Sequence, residues 1–166
     1  MRVLSIDVGL RVCGYVICEV FNSEIKLIKE DQIEPLSSFS LPRKLNYIFE
    51  ALKRDIKIHK PKILILEKLY SHYRHPTTLG LLAQVRGTVV LLAYQNEMDF
   101  IEYSPTRIRK CFLGRGNVKS EQVRKTAENM MGRKFKSSHT ADAFSLAVTF
   151  WRIKKTEKIL KDDFKN

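Results

Sequence analysis

Glycine, proline and cysteine are scarce in this sequence of 166 residues, which contains seven, five and three of them respectively. So few glycine and proline residues exclude a collagen-like, linker-rich or low-complexity chain. The three cysteines (Cys13, Cys18 and Cys111) are odd in number and form no CxxC pair, which argues against a disulfide framework and a cysteine zinc site. We therefore expect free thiols in a reducing compartment.

Acidic residues are the charged minority, with 18 Asp and Glu against 30 Lys and Arg, a net charge of +12 and a pI near 9.7. This balance excludes an acidic solvating protein and favours a polyanionic partner, most simply nucleic acid. An anionic membrane surface is the weaker alternative. Segment 104–136 alone holds ten basic residues and two acidic ones, and such clustering favours a phosphate-binding surface over scattered solvation.

A long uninterrupted hydrophobic run is also missing. Asp7 stands where a signal peptide needs apolar residues. The most apolar stretch, residues 77–96, is interrupted by Gln84 and Arg86, and we expect it to fall short of a membrane span. These features predict a soluble, cytoplasmic protein without a membrane partner.

The chain can bury a core, since 44% of its residues are hydrophobic, and its length suits one domain. Hydrophobic patterning predicts strands at 3–8, 13–20, 24–33, 62–67 and 99–103. It predicts helices that Ser40, Ser104 and Ser138 cap, and two more at 77–97 and 120–131. This order indicates an α/β protein with a five-stranded mixed sheet flanked by helices. We expect the domain to span 1–155, followed by a charged tail at 156–166 that frays.

Three carboxylates stand out by position. Asp7 lies near the end of the first strand, Glu67 ends the fourth, and Asp142 lies near the start of the last helix. A cluster of them would need a neutralising cation, and oxygen ligands suit Mg²⁺ or Mn²⁺. Two such ions can stabilise both the attacking and the leaving oxygen of a phosphodiester displacement. Singly, Asp7 could instead form a turn and Asp142 could serve the helix dipole.

His139 precedes Asp142 by three residues, so both side chains project from one helix face. It could ligate a metal, transfer a proton or make an ordinary hydrogen bond at the helix start. Aromatic and basic residues alternate in the loop after Glu67, where they could stack on unpaired bases and hold phosphates or simply pack the loop. These loop residues are Tyr70, His72, Tyr73 and Arg74.

Several function classes can be weighed on this pattern. An opening strand with Asp-x-Gly also occurs in actin-like and Hsp70-like phosphotransferases, but those need two lobes and this chain is too short. A non-catalytic nucleic-acid binder would explain the charge and leave the three carboxylates without a role. A polynucleotidyl-transfer enzyme explains both.

The sequence resembles the RuvC-type Holliday-junction resolvases of the RNase H-like superfamily, from Met1 to about Ile153. The motifs that carry the resemblance are LSIDVG at 4–9 with Gly14-Tyr15, Leu66-Glu67 with Tyr70, QVRG at 84–87, GRG at 114–116 with Lys119-Ser120, and ADA at 141–143 with Ala147. The chain departs from the family in reading DVG where many members have DPG, and in the residues of the loop after Glu67.

The resemblance implies an RNase H-like fold, a homodimer and paired nicks in four-way junction DNA that leave 5′-phosphate ends. It implies that Asp7, Glu67 and Asp142, with His139 at the fourth position, hold two Mg²⁺ ions per subunit, with Mn²⁺ as a substitute. It also implies DNA contacts at Tyr70, Arg109 and Lys119. The loop after Glu67 and the basic segment add His72, Tyr73, Arg74, Lys110 and Arg115 as expected DNA contacts. A branch-migration motor is a further possible partner, on which the sequence is silent.

Two alternatives stay open at this point. The chain could be a broader nuclease of flaps and forks, because its loop after Glu67 is unusual for the family. It could also be a non-catalytic junction-binding protein. Cleavage that depends on Asp142 separates both enzymes from the binding protein.

Overall fold

The structure is a computed structural model that describes residues 1–70, 75–116 and 119–163. Its sheet has five strands in the order β3-β2-β1-β4-β5. β2 pairs antiparallel with both β1 and β3, and β4 pairs parallel with β1 and β5. The strands are β1 Arg2–Asp7, β2 Cys13–Val20, β3 Ile25–Ile33, β4 Ile63–Glu67 and β5 Asp99–Tyr103. The predicted mixed sheet is thereby confirmed.

Five helices cover the two faces of this sheet within the described residues. They are α1 Leu41–His59, α2 Pro76–Gln95, α3 Pro105–Leu113, α4 Ser120–Met131 and α5 Ser138–Asp163. The predicted end of α5 near residue 155 was wrong, because the Lys-, Glu- and Leu-containing segment that follows consists mostly of good helix formers. The domain boundary at 155 stays a prediction.

Two of the predicted serine caps differ from expectation. Ser104 accepts a hydrogen bond from the backbone N–H of Arg107 at 3.2 Å, as predicted. Ser40 occupies the N-cap of α1, but its side chain makes no capping hydrogen bond. At α5 the capping contact belongs to Ser137 and not to Ser138, since the Ser137 hydroxyl accepts from the Thr140 N–H at 3.3 Å. The helix still begins at the predicted residue.

Strand residues alternate between two hydrophobic cores. Val3 and Val16 face α3, α4 and α5 in one core, whereas Leu4 and Ile17 face α1 and α2 in the other. All four are at most 1% exposed. Because helices cover both faces of the sheet, its central strands can be apolar throughout, which is why they read as continuous apolar runs.

Helix α2 packs only one face against the sheet. Leu82, Val85, Val89, Leu92 and Ala93 are its buried residues. Among the described residues it is the one helix long and apolar enough to cross a membrane by length and composition, with a mean hydropathy of 1.3. Core helices of soluble proteins pass the same test, and 28% of its most apolar window is buried here.

Candidate active site

The parallel pairing of β1 and β4 brings two predicted carboxylates to the same edge of the sheet. Ile6 pairs with Leu66, and Asp7 and Glu67 are the next residues of their strands. The functional residues of such sheets lie at the carboxyl ends of their strands, which is where both side chains start. Glu67 is exposed and Asp7 is half-buried.

The first turn of α5 crosses β2 at Gly14, which is the cross-strand partner of Asp7. A Cβ atom at Gly14 would lie 2.3 Å from the backbone carbonyl carbon of His139. The missing side chain therefore lets α5 approach closely enough for His139 to reach Asp7. His139 Nδ1 lies 2.7 Å from Asp7 Oδ2, and this hydrogen bond is the first cause of the raised pKa of His139.

Asp142 lies one turn further along α5, beside the same group. Burial first, and then the charge of Asp7, raise the pKa of Asp142 to about 6. The Ser120 hydroxyl donates to Asp142 Oδ2 at 3.0 Å and opposes this shift, as do His139 and Arg109. A half-buried carboxylate whose pKa is raised by burial and by a second carboxylate forms a site that a cation would stabilise.

Two adjoining cavities join these residues. A cavity of about 550 Å³ is lined by Asp7, Glu67, Tyr70, Arg86 and Arg109 among others. A smaller one of about 140 Å³ is lined by Asp7, Glu67, Arg109, Ser120 and Asp142 among others. Asp7, Glu67 and Arg109 border both, so the three predicted carboxylates and two predicted DNA contacts, Tyr70 and Arg109, share one concave region.

The other predicted DNA contacts are spread around this region. Lys110 lies on α3, Arg115 follows that helix and Lys119 precedes α4, and none of the three lines either cavity. Tyr70 is 43% exposed at the mouth of the larger cavity. The predicted contacts His72, Tyr73 and Arg74 lie outside the described residues.

Part of the basic segment 104–136 is neutralised within the protein. Arg124 and Lys134 pair with Glu128, and Arg133 pairs with Glu30. Lys125 and Lys136 are paired as well. These five basic residues form the ion pairs found for the segment among the described residues. The charge of its other described basic residues is therefore available to a phosphate backbone.

The donor set suits a hard divalent cation. No three His, Cys, Asp or Glu side chains among the described residues lie close enough together to hold an ion as they stand. Asp7, Glu67 and Asp142 nonetheless supply carboxylate oxygens to shared cavities, and His139 adds one imidazole nitrogen. Oxygen-rich sites of this kind prefer Mg²⁺ or Mn²⁺ to zinc.

Sequence reasoning gave no role to two residues that contact the carboxylate-bearing residues. Ser120 bonds to Asp142, and Arg86 Nη1 donates to the backbone carbonyl of Glu67 at 2.7 Å. Both residues belong to the motifs that carry the family resemblance, but the sequence indicated no role for either of them. The available signal for Arg86 was a charge inside the most apolar stretch of the chain, since such a charge needs a partner.

Comparison with known proteins gives consistent relatives. The sequence profile of the family described as crossover junction endodeoxyribonuclease RuvC matches residues 3–150. The protein of that name from Caldicellulosiruptor saccharolyticus is 30% identical over 151 residues, covering 89% of this chain and 90% of its own. The one from Campylobacter lari is 31% identical over 151 residues, covering 90% of this chain and 94% of its own.

A solved structure agrees with the observed topology. Thermus thermophilus RuvC in complex with Holliday junction substrate has a TM-score of 0.85 at 19% identity, covering 95% of this chain and 96% of that chain. This likeness confirms the predicted RNase H-like fold. Because the family profile spans most of the sequence, the chain belongs to the RuvC family of crossover junction endodeoxyribonucleases.

Proposed function

We propose that this chain is a Mg²⁺-dependent endonuclease that resolves four-way DNA junctions by paired, symmetric nicks in homologous recombination and DNA repair. One observation carries the proposal beyond family membership. Asp7, Glu67 and Asp142 come from three different elements and line two adjoining cavities bordered by Arg109, and His139 contacts Asp7 beside them. Acidic residues gathered in so basic a protein suit hydrolysis of a polyanion and leave a pure binding protein unexplained.

The carboxylates would hold the metal ions, two per subunit, with Mn²⁺ as a substitute. Bound there, divalent ions activate a water molecule and stabilise the charge that develops on the phosphate oxygens. Asp7 and Glu67 border both cavities and Asp142 borders the smaller one, so the three together span the region where the scissile phosphate would lie.

His139 would act through its second ring nitrogen. Its Nδ1 is engaged by Asp7, which fixes the ring and leaves Nε2 as the nitrogen that can accept a proton or a ligand bond. Ser120 would hold the Asp142 carboxylate in place through the hydroxyl bond to Oδ2. These contacts preorganise the acidic group before DNA binds.

The cationic and aromatic residues around the cavities would hold the junction. Arg109 lies beside the carboxylates and would neutralise the phosphate next to the cut. Lys110, Arg115 and Lys119 would contact the backbone further away. Tyr70, at the cavity mouth, would stack on a base in the opened junction centre.

A homodimer would place two such sites in one complex. A four-way junction is close to two-fold symmetric, so a C₂ dimer matches it with one site per opposed strand. Helix α2 supports this proposal, because Leu91 is 54% and Tyr94 is 81% exposed on its outer face. The two residues are three positions apart, so their side chains adjoin on one face of the helix and would form a patch that a second copy can cover. We expect the dimer to act in the cytoplasm.

Cleavage of a labelled four-way junction beside a linear duplex, a flap and a fork tests the proposal. Wild-type protein and Asp142→Asn are compared in Mg²⁺ and in EDTA. The expected result is Mg²⁺-dependent nicking of the junction alone, at symmetric positions on opposed strands, which Asp142→Asn abolishes.

Each other outcome contradicts part of the proposal. Tight junction binding without cleavage in Mg²⁺ or Mn²⁺ would overturn the enzyme. Comparable cleavage of flaps and forks would replace the resolvase by a broader branched-DNA nuclease. Cleavage retained by Asp142→Asn would show that the acidic group is not the catalytic one.

A further inference from the structure

Arg86 is a charged residue inside the apolar helix α2, and its side chain is only 14% exposed. Its guanidinium reaches away from the helix to the carboxyl end of β4. There Nη1 donates to the backbone carbonyl oxygen of Glu67 at 2.7 Å. Nη2 is buried and forms an ion pair with the Glu102 carboxylate of β5. The two groups are not aligned for a hydrogen bond.

The surroundings of Arg86 hold the guanidinium at the junction of three elements. Glu102 pairs with Leu66 in the β4–β5 ladder, directly before Glu67. The ring of Phe100, also on β5, has its centroid 5.6 Å from the guanidinium carbon. Arg86 therefore connects α2 to the last residue of β4 and to the neighbouring strand.

This connection acts where the active site needs it. Glu67 is the last residue of β4, and the Lys68 N–H that follows donates to the Tyr103 carbonyl of β5 at 2.8 Å. Its carboxylate starts from the end of this strand, so a shift of the strand end would move the carboxylate as well. A donor fixed on the Glu67 carbonyl holds that backbone in register with β5.

We propose that Arg86 is a positioning residue for Glu67. Its guanidinium fixes the end of β4 so that the Glu67 carboxylate stays directed at the metal-binding region. The inference rests on the proposed function, because it assumes that Glu67 binds a divalent cation. The planar guanidinium makes both contacts at once, which a lysine ammonium at the same place would not reproduce.

A direct contact between Arg86 and a DNA phosphate is the competing explanation, because Arg86 also lines the larger cavity. The two explanations predict different behaviour. A phosphate contact lowers junction affinity and its salt dependence when it is removed, and a lysine restores much of the charge. A positioning residue changes metal binding and leaves junction affinity nearly unchanged.

The test compares wild type, Arg86→Gln and Arg86→Lys as full-length proteins. Mn²⁺ binding to the protein alone is followed by electron paramagnetic resonance, junction affinity is measured in EDTA, and nicking is measured over a Mg²⁺ titration. Both variants are expected to bind Mn²⁺ roughly 10-fold more weakly and to need correspondingly more Mg²⁺, as for other residues that orient metal ligands. Junction affinity should stay within about twofold of wild type.

Arg109→Gln is the matched control, since Arg109 borders the same cavities and is proposed to contact phosphate. It should weaken junction binding and its salt dependence and leave Mn²⁺ binding by the free protein close to wild type. If Arg86→Gln weakens junction binding as Arg109→Gln does, and Arg86→Lys restores that binding, then Arg86 is a phosphate contact. The inference is then overturned. Unchanged Mn²⁺ binding in Arg86→Gln overturns it as well.

Two further comparisons keep the outcomes separate. If Arg86→Gln does not fold, Glu102→Gln replaces it, because this change removes the partner that holds the guanidinium. It should weaken Mn²⁺ binding in the same direction, by a few-fold, and unchanged binding would contradict the inference. If wild type binds Mn²⁺ and never cuts a junction, the proposed function fails while the metal measurement still decides the role of Arg86.

Discussion

Asp142 is the carboxylate of the site on which burial and charge act together. Its pKa is raised from an ordinary value of 3.8 to about 6, by burial first and then by Asp7. Because its pKa is higher in the folded protein, this carboxyl group loses its proton at a lower pH in the unfolded chain than in the folded one. Without metal, it therefore destabilises the folded protein progressively as the pH rises from about 4 through 6, and the penalty persists above that range.

Asp142→Asn is accordingly expected to stabilise the metal-free protein at pH 7.5, by roughly 1–3 kcal/mol. The amide keeps an oxygen that can accept the hydrogen bond of Ser120 and carries no charge. Thermal unfolding in EDTA at pH 7.5 and at pH 4 measures the effect. The gain should disappear at pH 4, where the carboxyl is protonated in the folded state, and a lower melting temperature at pH 7.5 would contradict the account.

The residues of the site could be predicted from the sequence to different degrees. Asp7 and Glu67 were predictable, because both end strands whose pairing in parallel brings their carboxyl ends together. The 2.7 Å contact between His139 and Asp7 was not. It depends on how closely α5 crosses β2, and no local pattern around His139 encodes that distance.

At the scale of elements, the approach of α5 to the sheet decides whether the site forms. Gly14 makes this approach possible, because a Cβ there would lie 2.3 Å from the His139 carbonyl carbon and 2.6 Å from its Cβ. The contact is with helix backbone, which cannot rotate away as a flexible side chain would. The crossing of β2 by α5 and the geometry of the acidic group are thus one structural feature.

Gly14→Ala is expected to lower the free energy of unfolding by about 1–3 kcal/mol, through forced separation of β2 and α5. Gly80→Ala is the control, since Gly80 is an exposed residue of α2 where an added methyl group would meet no other described side chain or element within 4 Å. The free energy of unfolding of Gly80→Ala should rise by roughly 0.5–1 kcal/mol, because alanine has a higher helix propensity than glycine. Urea unfolding measures both, and a Gly14→Ala protein as stable as wild type would contradict this explanation.

Element boundaries were predicted best where the chain carries strong stop signals. Ser104-Pro105 and Gly114 delimit α3 as expected, with Gly114 in the left-handed conformation at φ 78°. The end of α5 was missed, since charge alone suggested fraying while the residues after 155 favour helix. Whether the outer face of α2 is covered could not be read from the sequence, because the proposed partner would be a second copy of the chain.

At the scale of the whole molecule, the proposed homodimer would bring two copies of this acidic site to act together on one junction. The exposed aromatic ring of Tyr94 on α2 is the feature that would join the copies. Tyr94→Glu places a charge in the proposed interface, so sedimentation should show a dimer for wild type and a monomer for the variant at micromolar concentration. A variant that stays dimeric would place the interface elsewhere.

Cleavage of a supercoiled plasmid that extrudes a cruciform measures the joint action most directly. Paired nicks within one complex convert the plasmid to a linear product, whereas single independent nicks give a relaxed circle. Wild type in Mg²⁺ should yield mainly linear DNA, Tyr94→Glu should yield mainly nicked circles at a lower rate, and Asp142→Asn should leave the plasmid supercoiled. Nicked circles as the main wild-type product, or cleavage by Asp142→Asn, would contradict the account.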